Sequence, residues 1–200
     1  MQISGASSPL ILTVVSNRFV GDGNSKKSLL ANILLVVIGS ILLTISAKVQ
    51  VPFYPVPMTM QTLVVLLIGM SYGVSLASAT IILYIIQGAS GLPVFANGGG
   101  IGYIIGPTGG YIIGFLISAP LLGFLANRGW GKTWQTTAIA MIIGVSVIFF
   151  CGVGWLSIYI GFEAAIVKGL LPFIYADCLK IVVACLAMPT AWSFVEKTLK

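Results

Sequence analysis

Long apolar runs almost free of charge constrain the fold of this chain more than any other feature of its sequence. Of the 200 residues, 58% are hydrophobic and only 7% are charged, whereas a soluble domain carries about 25% charged residues. A soluble globule with so few charges would expose large apolar patches, and a lipid bilayer removes that problem. The sequence therefore predicts an all-α integral membrane protein surrounded by the lipid bilayer.

The chain is long enough for six transmembrane helices of roughly 20 residues each. Three prolines between positions 49 and 57 end the first span, because proline interrupts a helix, and Gly73 marks a tight turn between the second and third. The predicted spans are residues 28–47, 58–72, 74–87, 108–127, 133–155 and 171–194. Irregular outer loops rich in Gly and Pro are expected at 48–58 and 88–107. Residues 156–170, which include Glu163 and Lys168, are expected to form an outer loop or an interfacial segment.

The positions of lysine and arginine predict the orientation of these spans. With the N-terminus inside, seven basic residues lie on the inner side and only Lys48 and Lys168 lie in outer loops. This bias places both termini in the cytoplasm of a multi-pass plasma-membrane protein. Residues 1–27 are then a loosely ordered cytoplasmic tail, and residues 28–200 form one transmembrane substrate-binding domain. The net charge of +6 follows this pattern rather than a phosphate-binding stripe, so we expect no nucleic-acid partner.

Asp177 and Lys180 stand inside the sixth apolar run. Ionisable groups in a membrane span are costly and usually face the protein interior or a wet cavity. Their i, i+3 spacing puts both on one helical face. One interpretation is a structural ion pair between helices, and the other is a ligand site with one acceptor and one cationic donor, which the membrane location favours.

A glycine-rich segment, GLPVFANGGGIGYIIGPTGGY at 91–111, is the second candidate region. Asn97 offers donors and an acceptor to a ligand, while most of the glycines indicate turns and tight helix packing. Small residues four apart, at 102, 106, 110 and 114, predict a close helix contact. Gln61 enters the second span from the outer side beside Thr59, which is predicted to cap that helix. Tyr84 and Tyr111 are candidates for closing an apolar pocket, or are packing residues.

Several catalytic motifs are excluded. GWGKT at 129–133 resembles the end of a phosphate loop, but the pattern requires Gly where this chain has Ala126. The chain has no histidine and four acidic residues, and it contains neither HExxH nor GxSxG. Its three cysteines lack CxxC spacing and are read as reduced apolar side chains. We therefore expect no enzyme activity, no ATP site, no cofactor and no metal.

Three segments together resemble the BioY family, the biotin-specific membrane subunits of energy-coupling-factor (ECF) transporters. They are PVPMTMQTLVVLLIG, LYIIQGASGLPVFANGGGIGYIIGPTGGYIIGF and LPFIYADCLK. The motifs PVPxTxQT, GLPVF, GPTGGY and DxxK carry the likeness, which covers roughly residues 28–195. The first 27 residues add nothing to it.

The resemblance implies a six-helix fold that binds biotin near the outer face. It implies as partners a separate energy-coupling transmembrane subunit and two cytoplasmic ATPase subunits. It also implies binding roles for Asn97, Asp177, Lys180 and Tyr111, to which the residue-level reading adds Gln61 and Tyr84. We expect the partner to pack against small residues of the first span, such as Ala31, Gly39 or Ser40. Whether the chain forms homo-oligomers is left open.

Three other functions remain as alternatives. A membrane-embedded enzyme acting on a lipid or prenyl substrate is disfavoured by the lack of histidine and of paired carboxylates. A solitary biotin facilitator would need no energising partner. A purely structural or channel-forming bundle is disfavoured by Asp177 and Lys180, because such a bundle has little need of ionisable groups in a span.

Overall fold

The computed structural model describes residues 9–15 and 25–198, and helices dominate them. Two short strands, β1 (Gln50–Val51) and β2 (Met58–Thr59), pair antiparallel with Gln50 opposite Thr59. In chain order the helices are α1 (Leu10–Val15), α2 (Ser25–Lys48), α3 (Gln61–Ala89), α4 (Ile101–Ile104), α5 (Gly109–Asn127), α6 (Trp134–Ile160), α7 (Phe162–Gly169) and α8 (Leu171–Thr198).

One long helix, α3, folds back on itself. Gly73 has φ 74° and ψ 178°, which interrupts the helix. Gln61 Nε2 donates to the Tyr84 hydroxyl at 2.6 Å although the two residues are 23 positions apart. In a straight helix that separation would be about 34 Å. The arms 61–72 and 74–89 therefore lie side by side and antiparallel.

The reversal in α3 gives the six predicted segments. Five stretches of the described residues are long and apolar enough to cross a membrane, and α3 is one of them. The other four together with the two arms of α3 make six membrane-embedded segments. The six-helix prediction is thereby confirmed, including the tight turn predicted at Gly73.

Glycine is required at the α3 turn for two reasons. A φ of 74° at Gly73 lies in the left-handed region that other residues rarely adopt. The position is also crowded, because a Cβ there would overlap the ring of Pro9. From the other side Gly123 of α5 packs so closely that its own Cβ would lie 2.5 Å from the Gly73 carbonyl carbon.

Helices α5 and α6 pack through glycines, as the small-residue spacing predicts. A Cβ at Gly110 would lie 2.5 Å from the Cys151 carbonyl oxygen, and one at Gly114 would lie 2.8 Å from Ile148 Cα. The prediction holds for these two positions. Gly102 has open space around it and does not take part in this helix contact.

The two ends of the bundle differ. The basic end holds the turn at Gly73, the α5–α6 loop and the last turns of α8, where the Lys132 ammonium lies 4.8 Å from the centre of the Trp192 ring. The loop end holds the β1–β2 hairpin and residues 88–107, which Lys48 joins by donating to the Phe95 carbonyl at 2.6 Å. The irregular segments predicted at 48–58 and 88–107 thus share one end.

Several predicted boundaries are corrected. Helix α6 continues to Ile160, five residues beyond its predicted end. Helix α7 lies within the stretch predicted to be a loop or an interfacial segment, and it favours the second of these. The segment expected to be a loosely ordered tail includes α1, in which Leu10 is buried. Gly39 and Ser40 face inward rather than toward a partner, because Gly39 packs on Thr80 and the Ser40 hydroxyl donates to Gln87.

Candidate functional site

A cavity lies at the loop end, between the hairpin, the glycine-rich segment and helices α3, α5, α6 and α8. It contains about 530 Å³ of space free of protein atoms, with its open side included. Its walls are aromatic and aliphatic, with polar groups on one side. The lining residues are Val56, Pro57, Thr59, Gln61, Thr62, Phe95, Ala96, Tyr103, Thr108, Tyr111, Ile112, Phe115, Ile148, Phe149, Phe173 and Asp177.

Asp177 is the one charged residue among those that line this cavity, and it is paired. The carboxylate is 3% exposed, and its Oδ1 atom accepts from Lys180 Nζ at 2.6 Å. Lys180 itself borders a separate groove, next to Met60 and Leu179. The sequence-predicted pair is therefore divided: Asp177 faces the cavity and Lys180 lies behind it.

Lys180 also connects α8 to the hairpin. Its Nζ atom donates to the Thr59 carbonyl oxygen at 2.8 Å in addition to Asp177. Both acceptors are thus fixed by one buried ammonium, which is 5% exposed. Since a buried charge needs a partner and satisfied hydrogen bonds, this arrangement supplies the Asp177 carboxyl group at the cavity wall with a cationic partner.

Gln61 and Tyr84 form a hydrogen-bonded unit in which only Gln61 lines the cavity. Gln61 lines the cavity, whereas Tyr84 is fully buried behind it. The Tyr84 hydroxyl accepts from Gln61 Nε2 and donates to the Val94 carbonyl at 3.0 Å. The N-cap residue of α3 is Met60, not Thr59 as predicted, and its side chain makes no capping bond. The Thr59 hydroxyl still accepts from the backbone N–H of Gln61 at 3.2 Å. Tyr84 therefore orients Gln61 rather than forming the wall itself.

Tyr111 lines the cavity with its ring and uses its hydroxyl elsewhere. The hydroxyl donates to the Gly169 carbonyl at 2.7 Å, which joins α5 to the end of α7. The ring stacks near Phe173, with the ring centres 6.3 Å apart. On its other side it presses on Gly152, where a Cβ would lie 2.6 Å from Tyr111 Cζ.

Asn97 lies outside the group that forms the wall. It is exposed, and its Oδ1 atom accepts from Gln50 Nε2 at 3.1 Å. The two residues before it, Phe95 and Ala96, line the cavity instead. The structure thus brings Gln61, Tyr111 and Asp177 to the lining of one cavity, with Lys180 and Tyr84 behind it and Asn97 at its periphery.

The aromatic wall is the part of the site that sequence reasoning missed. Phe95 and Tyr103 stack with ring centres 4.9 Å apart, and burial raises the pKa of the Tyr103 phenol, so its hydroxyl is neutral. Phe149 and Phe173 meet edge to face at 6.2 Å. The only residue of the sequence that could have indicated where Phe95 packs is Gly88. Its lack of a side chain leaves room for the Phe95 ring, because a Cβ there would lie 2.6 Å from Phe95 Cε1. In spans that are apolar all round, nothing else in one sequence separates an inward-facing phenylalanine from a lipid-facing one.

The cavity is suited to a small molecule that is mostly apolar with a polar group at one side. Asp177 accepts hydrogen bonds, Gln61 both donates and accepts, and Thr59 and Thr62 supply hydroxyls. Convergent polar groups in an apolar cleft are typical of ligand sites. Among the residues that the structure describes, no three His, Cys, Asp or Glu side chains come together to hold a metal ion.

Comparisons with known proteins agree with this picture. Residues 20–197 match the sequence model of the BioY family. The chain is 41% identical over 151 residues to a protein named "Probable biotin transporter BioY" from Pyrococcus horikoshii, which covers 75% of this chain and 89% of that protein. It is 39% identical over 151 residues to "Biotin transporter BioY" from Thermotoga maritima, with 72% and 86% covered.

A solved structure shares the fold. The crystal structure of the S-component for biotin from an ECF-type ABC transporter superposes with a TM-score of 0.74. It is 22% identical in sequence and covers 85% of this chain and 95% of its own. At that identity the likeness concerns the arrangement of helices.

Proposed function

Since this chain belongs to the BioY family, we propose that it is the biotin-binding membrane subunit of a vitamin uptake transporter. The proposal makes the cavity at the loop end the biotin site. Its named relatives are biotin transporters, and the chain is a multi-pass membrane protein with five long apolar stretches in its described part. If this is correct, the side chains that line the cavity must match the polar and apolar groups of biotin.

The observation that carries the proposal is the buried carboxylate of Asp177 in the cavity wall. Biotin has a urea-like ring with two N–H donors and a carbonyl, an apolar tetrahydrothiophene ring and a carboxylate tail. An ionised carboxylate is an acceptor for such N–H groups. Lys180 balances the charge of Asp177 from behind, so a neutral ring can bind without leaving that charge unpaired.

Gln61 completes the polar side of the proposed site. Its amide gives one N–H to Tyr84, and the amide nitrogen has a second N–H. Because Gln61 lines the cavity, a ring carbonyl can accept from this second donor. The aromatic residues Phe95, Phe149 and Phe173 surround the remaining space and suit the apolar sulfur-containing ring.

Capture from outside is part of the proposal. The basic end carries Arg128, Lys132 and Lys197, which the positive-inside rule places in the cytoplasm. Pro9 lies beside Gly73 at that end, and Trp192 near the end of α8 lies beside Gly131, so both ends of the described chain lie on one side. The loop end, with the cavity, then faces the exterior.

Energy for uptake is proposed to come from partners, namely an energy-coupling transmembrane subunit and two cytoplasmic ATPase subunits. The failed phosphate loop at 126–133 supports this, because the chain offers no recognised nucleotide site. Gly39 and Ser40 already contact α3. A partner subunit that binds α2 would therefore contact the exposed face of α2. That face includes Ile33, Val37 and Ile41.

Equilibrium binding of labelled biotin to the purified chain in detergent tests the proposal. We expect saturable binding, competition by unlabelled biotin, and a rise in unfolding temperature that grows with biotin concentration. A folded preparation that binds no biotin would exclude this function. Turnover of a lipid or prenyl compound by the same preparation would instead support the enzyme alternative.

A further inference from the structure

The end of α2 is joined to the cavity wall by side chains that do not themselves line the cavity. Lys48 Nζ donates to the Phe95 carbonyl at 2.6 Å and to the Ala96 carbonyl at 3.5 Å. Gln50 Nε2 donates to the same Ala96 carbonyl at 3.3 Å and to Asn97 Oδ1 at 3.1 Å. Two side chains from one strand–helix junction thus hold three consecutive residues, 95–97.

Those three residues belong to a segment with little stiffness of its own. Gly91, Gly98 and Gly100 all have positive φ, at 96°, 137° and 97°. Such backbone is readily accessible only to glycine, which has the largest conformational freedom in the absence of tertiary contacts. Within the segment, Phe95 and Gly98 exchange two backbone hydrogen bonds of 2.9 and 3.3 Å. The position of this glycine-rich segment relative to the helices therefore depends on its contacts with other parts of the chain.

The position of Phe95 matters for the whole wall. Its ring is 1% exposed, packs edge to face on Tyr84 at 5.4 Å and stacks on Tyr103 at 4.9 Å. Phe95 and Ala96 both line the cavity. A displacement of the backbone at 95–96 would move the aromatic surface against which a ligand rests.

Lys48 is an exposed residue whose ammonium donates to two backbone carbonyls. Among the described residues the recorded ion pairs are Lys132–Glu196 and Lys180–Asp177, so Lys48 has no carboxylate there. An ammonium has three donors, and hydrogen bonds from a charged donor are stronger than neutral ones. Lys48 is therefore suited to hold two carbonyls of a flexible segment.

We propose that Lys48 and Gln50 are positioning residues for ligand retention, which fix the Phe95–Ala96 wall against the end of α2. The contacts continue beyond α2, since Gln50 pairs with Thr59 across the hairpin and the Thr59 carbonyl accepts from Lys180. The hairpin, the glycine-rich segment and α8 are thus hydrogen-bonded to one another around the cavity. The proposal rests on the proposed function in taking biotin as the ligand.

Dissociation kinetics test this role. Lys48→Met keeps the apolar length of the side chain and removes the donor. We expect biotin to dissociate about ten- to a hundredfold faster, the effect of losing one charge-assisted hydrogen bond, with the association rate nearly unchanged. Lys48→Arg should restore slow release, and Gln50→Leu should give a smaller acceleration. Lys168→Met, an exposed lysine of α7, is the matched control and should release biotin at the wild-type rate.

The release rates of biotin and of its neutral carboxamide show whether Lys48 positions the cavity wall or contacts the ligand directly. Because Lys48 holds the wall and not the ligand, Lys48→Met should accelerate release of both compounds by the same factor. An effect confined to biotin would show that Lys48 binds the carboxylate and would overturn the proposal. A wild-type release rate in both Lys48→Met and Gln50→Leu would overturn it equally.

Amide hydrogen exchange without ligand makes the test independent of biotin. In Lys48→Met the backbone N–H groups of Phe95 and Gly98 should exchange about tenfold faster or more, while those of α5 keep their protection. Unchanged exchange at 95 and 98 would refute the positioning role. If the wild-type chain bound no biotin, the proposed function would fail, and this exchange comparison would still decide whether Lys48 holds the segment.

Discussion

The Tyr84 hydroxyl lies 2.6 Å from Gln61 Nε2 and 3.0 Å from the Val94 carbonyl oxygen. One buried phenol therefore joins the two arms of α3 and fixes the segment that leads to Phe95. The first arm presents Gln61 to the cavity only because the second arm runs antiparallel to it. This contact links the reversal of the chain at Gly73 to the shape of the proposed site.

Tyr84→Phe tests that link. The change removes the hydroxyl and leaves a buried amide N–H and a buried carbonyl without their partner, at a cost of about 1–3 kcal/mol. We expect a lower unfolding temperature in detergent and roughly ten- to a hundredfold weaker biotin binding. Tyr175→Phe removes the same hydroxyl from a residue that is 85% exposed and should leave both values unchanged. Normal affinity in Tyr84→Phe would show that Gln61 needs no orientation.

Asp177→Asn and Lys180→Met test the charge pair. Each removes one charge of a pair held at 2.6 Å, and breaking a buried pair costs about 3–5 kcal/mol, because the remaining charge is uncompensated. We expect both variants to lose stability, and Asp177→Asn to bind biotin at least tenfold more weakly through the loss of a charged acceptor. Binding is measured on the folded fraction after size-exclusion chromatography.

The double variant Asp177→Asn/Lys180→Met separates the structural interpretation of this pair from the functional one. Removing both charges together should recover much of the stability, since neither is left unpaired. A purely structural pair predicts that biotin affinity recovers with it. The ligand-site interpretation predicts that the double variant is stable and still binds weakly, and a wild-type affinity there would rule it out.

Gly152→Ala should disturb the site through Tyr111. The added methyl group would overlap the Tyr111 ring, and overpacking of this kind typically costs about 1–3 kcal/mol. We expect lower thermal stability together with weaker biotin binding. Gly154→Ala adds the same methyl group two residues further along α6, where nothing lies within 4 Å. Equal behaviour of the two variants would contradict the packing described for Tyr111.

The orientation can be tested by cysteine labelling. Glu163 and Gln135 are both exposed, and the proposed orientation places them on opposite sides of the membrane. In a chain whose three native cysteines are replaced, Glu163→Cys should react with an impermeant maleimide in intact cells. Gln135→Cys should react only after the membrane is opened. Labelling of both positions from the same side would reject the proposed topology.

How far the sequence predicts this molecule depends on the kind of signal each residue carries. Gly73 is identifiable because a turn between two apolar runs needs a backbone that only glycine adopts easily. Asp177 and Lys180 are identifiable because charge inside a span is costly. Their division, with one facing the cavity and the other behind, is a matter of helix rotation and backbone contacts that a spacing of three residues does not specify.

Other residues could not be placed from one sequence. Asn97 and Lys48 both appear as polar residues near the outer boundary, and nothing local shows that Lys48 holds the glycine-rich segment while Asn97 lies at its edge. Phe95 and Phe173 differ from lipid-facing phenylalanines only in the neighbours that tertiary packing gives them. The burial of Gly39 likewise depends on the neighbouring arm of α3.

The reversal of α3 also limits the depth of the protein along its first arm. The arm 61–72 rises only about 18 Å, against a hydrocarbon layer of about 30 Å. A helix shorter than the layer is accommodated by local thinning of the bilayer or, where protein covers it, by shielding from lipid. Eight of the twelve residues of this arm are buried. A molecule bound beside Gln61 is then one short arm away from the turn at Gly73. Measured along this arm, the protein between the proposed site and the turn is accordingly thinner than the hydrocarbon layer.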